Sequence, residues 1–200
     1  MTNALETIHT VVIGAGQAGL SMSYWLRQHG IEHILLERAR VGERWRSERW
    51  DSLHFQFPSS FVGLPGMPYD GDTPDVFMHR DGVVATLDRY AAHINAPVRC
   101  GMPVRQVRPA DGGGFLVDLD SHTIAARNVV SATGPYQTPA VPGIARSLPP
   151  NLMQLTANRY VNAAQLPLGK VLVVGAGSSG YQIAEDLMEN GRDVFLAVGP

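Results

Sequence analysis

Two sets of three glycines carry the clearest chemistry in this sequence. Gly14, Gly16 and Gly19 stand at G-x-G-x-x-G spacing, and Gly175, Gly177 and Gly180 repeat it. That spacing suits a backbone turn that must come close to a pyrophosphate. The first glycine permits the tight turn, the second leaves no Cβ in front of the phosphates, and the third lets a helix pack closely on a strand. The helix that follows offers unpaired N–H groups and the positive end of its dipole to the anion. Glu37 lies 18 residues past Gly19, close to the spacing of a carboxylate that accepts from a ribose hydroxyl.

The elements around the glycines must hold them in place. Thr10–Ile13 is a short apolar, β-branched run and reads as a buried strand. Gln17 to His29 reads as a helix stopped by Gly30, and Ile31–Leu36 as the next strand, ending at Glu37. The second copy aligns throughout, with Gly30 falling on Gly191, so one βαβ unit is used twice. The match breaks where Val198 replaces Glu37 and Gly199 replaces Arg38. An acid at this position accepts from a 2′-hydroxyl and repels a 2′-phosphate. The first unit therefore suits a dinucleotide with a free 2′-hydroxyl, FAD or NAD, and the second leans to NADP over NAD.

Between the units, Arg40–Ser60 has no clean periodicity and reads as loop with short helical turns. Asp81 is expected to cap a helix over Gly82–Asn95, with Val83, Val84, Leu87, Tyr90, Ala91 and Ile94 on one face. Val98–Val130 reads as short strands, with Asp111–Gly114 as the turn between Val104–Arg108 and Phe115–Leu119, and Asn128–Ala132 reads as a further strand. Six prolines between Pro135 and Pro167 mark a connector. We divide the chain into a first nucleotide-binding domain (1–145), a connector (146–168) and the start of a second domain (169–200).

Composition narrows the function classes. The net charge of −2, with no basic block, argues against a nucleic-acid partner. The single cysteine, Cys100, allows no internal disulfide and no CxxC pair, which fits a reducing, cytoplasmic setting. No apolar run approaches the roughly 18 residues of a membrane span, so no membrane partner is expected. The seven histidines show no ligand spacing, and we expect no metal. Ser178 and Ser179 lack the G-x-S-x-G context of a hydrolase nucleophile, so phosphate contact is their better role.

Taken together, the motifs resemble the flavin-dependent monooxygenases that use one FAD and one NADPH, in particular bacterial relatives of the flavin-containing and YUCCA-type enzymes. "VGERWRSERWDSLHFQFP" is similar to the family's G-x-x-W segment and the run after it, and "VVSATGPYQTPAVPG" to its A-T-G motif. "VLVVGAGSSGYQIAEDL" is similar to its NADPH fingerprint. The family's F-x-G-x-x-x-H-x-x-x-Y/F motif is matched in "PNLMQLTANRY" only at Tyr160. The resemblance implies an α/β, Rossmann-like FAD/NAD(P)-binding fold of three layers, with a parallel sheet and a β-meander. It also implies a two-dinucleotide-domain architecture whose second domain is incomplete, so that this chain is the N-terminal part of a longer protein and unstable or inactive alone.

Residue by residue, the resemblance places Gly14, Gly16, Gln17, Ala18 and Gly19 on the FAD pyrophosphate, and Glu37, with Arg38 beside it, on the adenosine ribose. Trp45 and Arg46 would lie along the FAD near its ring system. Val104 would pair through its backbone with the adenine edge, and Ala132, Thr133 and Gly134 would pass the pyrophosphate. Gly175, Gly177, Ser178, Ser179 and Gly180 would cradle the NADPH phosphates. The implied reaction is NADPH-dependent insertion of one oxygen from O2 into a small organic substrate through a flavin (hydro)peroxide. A flavoprotein reductase without oxygen insertion and a non-catalytic nucleotide-binding fragment are the alternatives. No catalytic residue stands out. His54 and Gln56 are candidate donors near the flavin, and Asp51 is a candidate for orienting Arg46 or Arg49. A homo-oligomer is compatible with these features.

Overall fold

The computed structural model describes residues 5–199. The chain runs β1 (Glu6–Ile13), α1 (Gln17–Gln28), β2 (His33–Leu36), α2 (Glu43–Ser47), β3 (His54–Pro58), β4 (Phe77–His79), α3 (Arg80–His93), β5 (Val98–Arg99), β6 (Val104–Pro109), β7 (Phe115–Leu119), β8 (Thr123–Ser131), β9 (Val171–Val174), α4 (Ser178–Glu189) and β10 (Val194–Ala197). A six-stranded sheet has the order β5-β2-β1-β8-β7-β6. Its β5, β2, β1 and β8 pair in parallel, and β8, β7 and β6 form an antiparallel meander. The outlying β9 and β10 pair in parallel, and β3 and β4 form a separate antiparallel pair.

Alternation along β1 and β2 explains the layers, because successive side chains point to opposite faces. Val12 and Leu35 pack on one face with Leu20 of α1 and with Val83, Leu87 and Tyr90 of α3. Val11, Ile34 and Leu36 pack on the other face with Val117, Ile124 and Ala126 of the meander. Side chains on both faces of β1 and β2 are therefore buried, as the strands of a parallel sheet require. The three-layer α/β fold expected from the resemblance is the fold observed.

Several boundaries differ from the sequence reading, each for a local reason. The strand expected from Thr10 begins at Glu6, because β8 continues alongside it and pairs from Glu6 with Ile124. The helix expected over Gly82–Asn95 spans Arg80–His93 and is capped by His79 rather than Asp81. His79 Nδ1 accepts from the Asp81 N–H at 3.2 Å, whereas the Asp81 carboxylate turns to Arg80 Nε. The segment Arg40–Ser60 contains a short helical stretch, α2, as expected, and a strand, β3, where loop was expected. The proline-rich stretch is connector as expected, with short 3-10 turns at Gly143–Ser147 and Ala163–Gln165.

Candidate nucleotide-binding site

The two glycine turns have the same geometry. Gly14 has φ +105° and Gly175 φ +106°, a region that L side chains rarely adopt. Each donates its N–H to the end of the next strand, Gly14 to Leu36 O at 2.8 Å and Gly175 to Ala197 O at 3.0 Å. A Cβ on Gly19 would overlap the Gly14 carbonyl, and one on Gly180 would overlap that of Gly175. The third glycine is thus required by close packing within each copy. Gly16 and Gly177 differ, since a Cβ on either meets nothing within 4 Å. Both cap their helices without a side-chain hydrogen bond, and neither first turn carries an acid. The first-turn N–H groups of α1 and α4 therefore face open space with a positive dipole end, which fits a phosphate group.

Glu37 ends the second strand of the first unit and is only 7% exposed. Its Oε2 accepts from Ala15 N–H at 2.9 Å, inside the glycine turn, and its Oε1 accepts from Ala39 N–H at 3.0 Å. The carboxylate thus ties the turn to the strand end and keeps lone pairs for a ribose hydroxyl. Val198, its counterpart in the second copy, is exposed. Ala132 follows β8, and its N–H donates to Ile13 O at 2.9 Å. Its carbonyl lies 2.5 Å from where a Gly14 Cβ would be, so the A-T-G segment does pass the first glycine turn. Thr133 and Gly134 continue along it, and their carbonyls accept from Gln137 Nε2. Val104 opens β6 opposite Leu119, two residues after Met102, whose N–H donates to the Glu37 carbonyl at 2.9 Å. Gln17, Ala18, Ser178 and Ser179 are exposed at or beside the first turns of α1 and α4.

The arginines of α2 and its C-terminal flank are arranged by charge. Arg38 and Arg44 both bond to Glu48, Arg44 through Nε at 2.7 Å. Burial pushes the Glu48 carboxyl up, but these two arginines outweigh it and hold it below its usual range. Arg46 turns away to α3, with Nη2 2.5 Å from Asp88 Oδ2, and its Nε donates to Val41 O at 3.0 Å. Trp45 packs between the sheet core and the second unit, edge-on to Phe55. Arg49 stacks over Trp45 at 5.6 Å, and burial, then Arg44, push its pKa down.

Asp51 does not orient Arg46 or Arg49. It pairs with Arg80 Nη2 at 2.9 Å and accepts from Asn162 Nδ2 at 2.6 Å, because its own N–H is drawn to Val161 O in the connector. His54 Nδ1 lies 2.9 Å from Ser52 O, and its ring meets His79 edge-on. The His54 backbone is gripped by α4: Gln182 Oε1 accepts from His54 N–H, and Gln182 Nε2 donates to His54 O, each at 3.1 Å. Trp50 and Leu53 of the first unit share an apolar cluster with Tyr160, Ala163 and Leu187, and the Tyr160 hydroxyl bonds to the buried Asp186.

These contacts place a cleft of about 570 Å³ against the second glycine turn. Gly175, Gly177, Ser178, Ser179 and Gly180 line it from one side, and Gln56 and Tyr136 of the first unit also line it. The arrangement can hold two phosphate-bearing ligands, one at each glycine turn. Among the described residues no cluster of three metal-ligating side chains occurs, and no helix is long and apolar enough to cross a membrane.

The family model for pyridine nucleotide-disulphide oxidoreductases matches residues 11–199. The chain belongs to this family. It is 40% identical over 193 residues to an uncharacterized CzcO-like oxidoreductase of Geobacillus kaustophilus, covering 96% of this chain and 54% of that protein. It is 32% identical over 191 residues to the indole-3-pyruvate monooxygenase YUCCA1 of Oryza sativa subsp. japonica, covering 94% of this chain and 47% of that protein. Among solved structures, the flavin-containing monooxygenase of Stenotrophomonas maltophilia superposes with a TM-score of 0.84 at 29% identity, over 98% of this chain and 59% of that one. The chain spans about half the length of the curated relatives it matches. The resemblance to flavin monooxygenases drawn from the motifs is thus found again in whole-chain similarity.

Sequence reasoning missed Arg44, Tyr136 and Gln182. Arg44 and Tyr136 stand within quoted motifs, but their contact joins residues more than 90 positions apart. Gln182 falls on Ser21 in the first copy, but the two helices differ at most positions, so no signal in the sequence singled it out.

Proposed function

We propose that the first glycine turn holds FAD, that the second holds NADPH, and that the protein to which this chain belongs is an NADPH-dependent flavin monooxygenase. The observation that carries the reading is the pair of matching glycine turns, the first with a buried acid at its strand end and the second without one. The buried Glu37 favours a ribose with free hydroxyls, and its replacement by Val198 removes the repulsion toward a 2′-phosphate. The similarity to the Stenotrophomonas and YUCCA1 enzymes favours oxygen insertion over simple reductase chemistry. The lone Cys100 in this sequence supplies no dithiol pair.

The flavin, when bound, supplies the redox chemistry, and the protein's part is to bind, orient and exclude water. Gly14, Gly16, Gln17, Ala18 and Gly19 would take its pyrophosphate, with Ala132, Thr133 and Gly134 alongside. Glu37 would take the ribose, with Arg38 beside it, and the backbone at Val104 the adenine edge. Trp45 would wall the ring system, with Arg46 bracing α2 against α3. Gly175, Gly177, Ser178, Ser179 and Gly180 would take the phosphates of NADPH. Gln56 is the better-placed donor of the two candidates, since it lines the cleft while the His54 ring turns its Nδ1 to Ser52 O. Domain limits of 1–145, 146–168 and 169–200, a cytoplasmic setting and a small-molecule substrate belong to the same reading.

The experiment is anaerobic mixing of the flavin-loaded protein with NADPH, followed by O2 and an amine, sulfide or ketone substrate. Flavin bleaching by NADPH, then oxygenated product in step with the NADPH used, supports the reading. Bleaching with no oxygenated product from any substrate class would make it a reductase.

A further inference from the structure

Tyr136 is held in a conformation that its own packing does not explain. It has φ +60°, in the left-handed region that bulky residues rarely occupy. Such a conformation persists where the surroundings over-determine it, and it clusters at ligand sites. Here the surroundings are Arg44. Its Nη1 donates to Pro135 O at 2.6 Å and its Nη2 to Tyr136 O at 2.8 Å, so both carbonyls are fixed by one planar fork. Glu48 holds the guanidinium from the other side through Nε. The Gln137 side chain folds back onto the carbonyls of Thr133 and Gly134 and holds the start of the same loop. All this fixing delivers a ring that is 83% exposed. Tyr136 nevertheless lines the cleft that carries the second glycine turn.

The repeat tells which half of a dinucleotide would meet the ring. The adenosine end belongs at the close of β10, where Val198 stands in the place of Glu37. The cleft lies on the other side of the glycine turn. Val171–Val174 of β9 line it, and among the described residues no β10 residue does. The half of the nucleotide leaving the phosphates on that side carries the nicotinamide, and it would run toward the first unit.

We infer that Tyr136 is a stacking platform for the nicotinamide half of the nucleotide bound at the second glycine turn, and that Arg44 is its positioning residue. The inference rests on the reading of that turn as a nicotinamide-nucleotide site. A flat, amphipathic ring held rigidly gives contact area at little cost in ordering, and aromatic pairs prefer offset or edge geometries. The fork on the carbonyls sets the ring's direction without touching the ligand.

The test compares two ligands on the FAD-loaded protein by calorimetric titration: NADP+, and 2′,5′-ADP, which lacks the nicotinamide half. Tyr136→Ala should weaken NADP+ by about twofold to tenfold and leave 2′,5′-ADP unchanged. Tyr136→Phe should stay near wild type. Arg44→Met should weaken NADP+ alone by a similar factor, and the double variant Arg44→Met/Tyr136→Ala should be no worse than Tyr136→Ala, because the two act as one unit. An unchanged NADP+ affinity in Tyr136→Ala, or equal losses for both ligands, would overturn the inference and leave the second site standing. A wild-type protein that keeps FAD but binds neither ligand would overturn the second site and this inference with it.

Discussion

At the scale of single residues, the three glycines of each turn separate into two physical classes. Gly14 and Gly19 are required by the chain itself, through an unusual φ at one and a carbonyl in the way at the other. Gly16 has empty space where a side chain would go, so only a ligand can need its bareness. Gly19→Ala should therefore destabilise the protein severely, since it creates a backbone overlap in a packed βα turn. Gly16→Val should leave the melting temperature close to wild type while abolishing FAD uptake. Thermal unfolding and flavin content, measured on the same preparations, check this pair. A stable Gly19→Ala, or a Gly16→Val that binds FAD normally, would contradict the assignment.

At the scale of elements, the junction of the connector with α4 depends on a buried polar pair. Tyr160 and Asp186 are both nearly inaccessible and bond to each other beneath Trp50 and Leu187. Tyr160→Phe would leave the Asp186 carboxylate buried without that donor, which should cost about 1–3 kcal/mol in denaturant unfolding at neutral pH. Burial, then the bond to Asp186, push the Tyr160 phenol above its usual range. A folded-state pKa above the unfolded value favours the protonated, folded form. That stability is fully present below the ordinary phenol range of about 10 and is lost as pH rises past it. Wild type should therefore lose stability above about pH 10 more steeply than Tyr160→Phe. Parallel slopes would show that the pair contributes nothing to the alkaline limb.

The same junction shows what was legible in the sequence. The βαβ units, the meander and the repeat follow from local patterns: apolar runs, glycine spacing and a turn at Asp111–Gly114. β3 was hidden because His54–Pro58 mixes aromatics with polar residues, and its partner β4 lies some 20 residues on, across a long stretch with several turn signals, Pro65-Gly66 and Asp70-Gly71 among them, instead of one hairpin turn. The partners of Asp51 were equally hidden. Arg46 and Arg49 are near it in sequence, but Arg80 and Asn162 are near it in space. Local chemistry reads well from sequence, whereas contacts spanning a hundred residues depend on the fold.

At the scale of the whole molecule, the two copies stand in different surroundings. β1 has β2 on one side and β8 on the other, and the A-T-G segment closes over Gly14. Among the described residues, β9 pairs only with β10, Gly175 has nothing within 4 Å of its Cβ position, and Leu172, Val174 and Phe195 are exposed. The first glycine turn is thus backed by strands on both sides and by the A-T-G segment, and the second has fewer neighbours. FAD binding should accordingly be the more robust of the two activities in residues 1–200. The most direct measurement is a visible absorption spectrum of the purified chain after incubation with FAD and desalting, with the released cofactor identified after denaturation. A flavin spectrum from wild type, with FAD as the released molecule and its loss in Glu37→Gln, is the expected result. A folded, colourless chain that takes up no FAD would contradict the account.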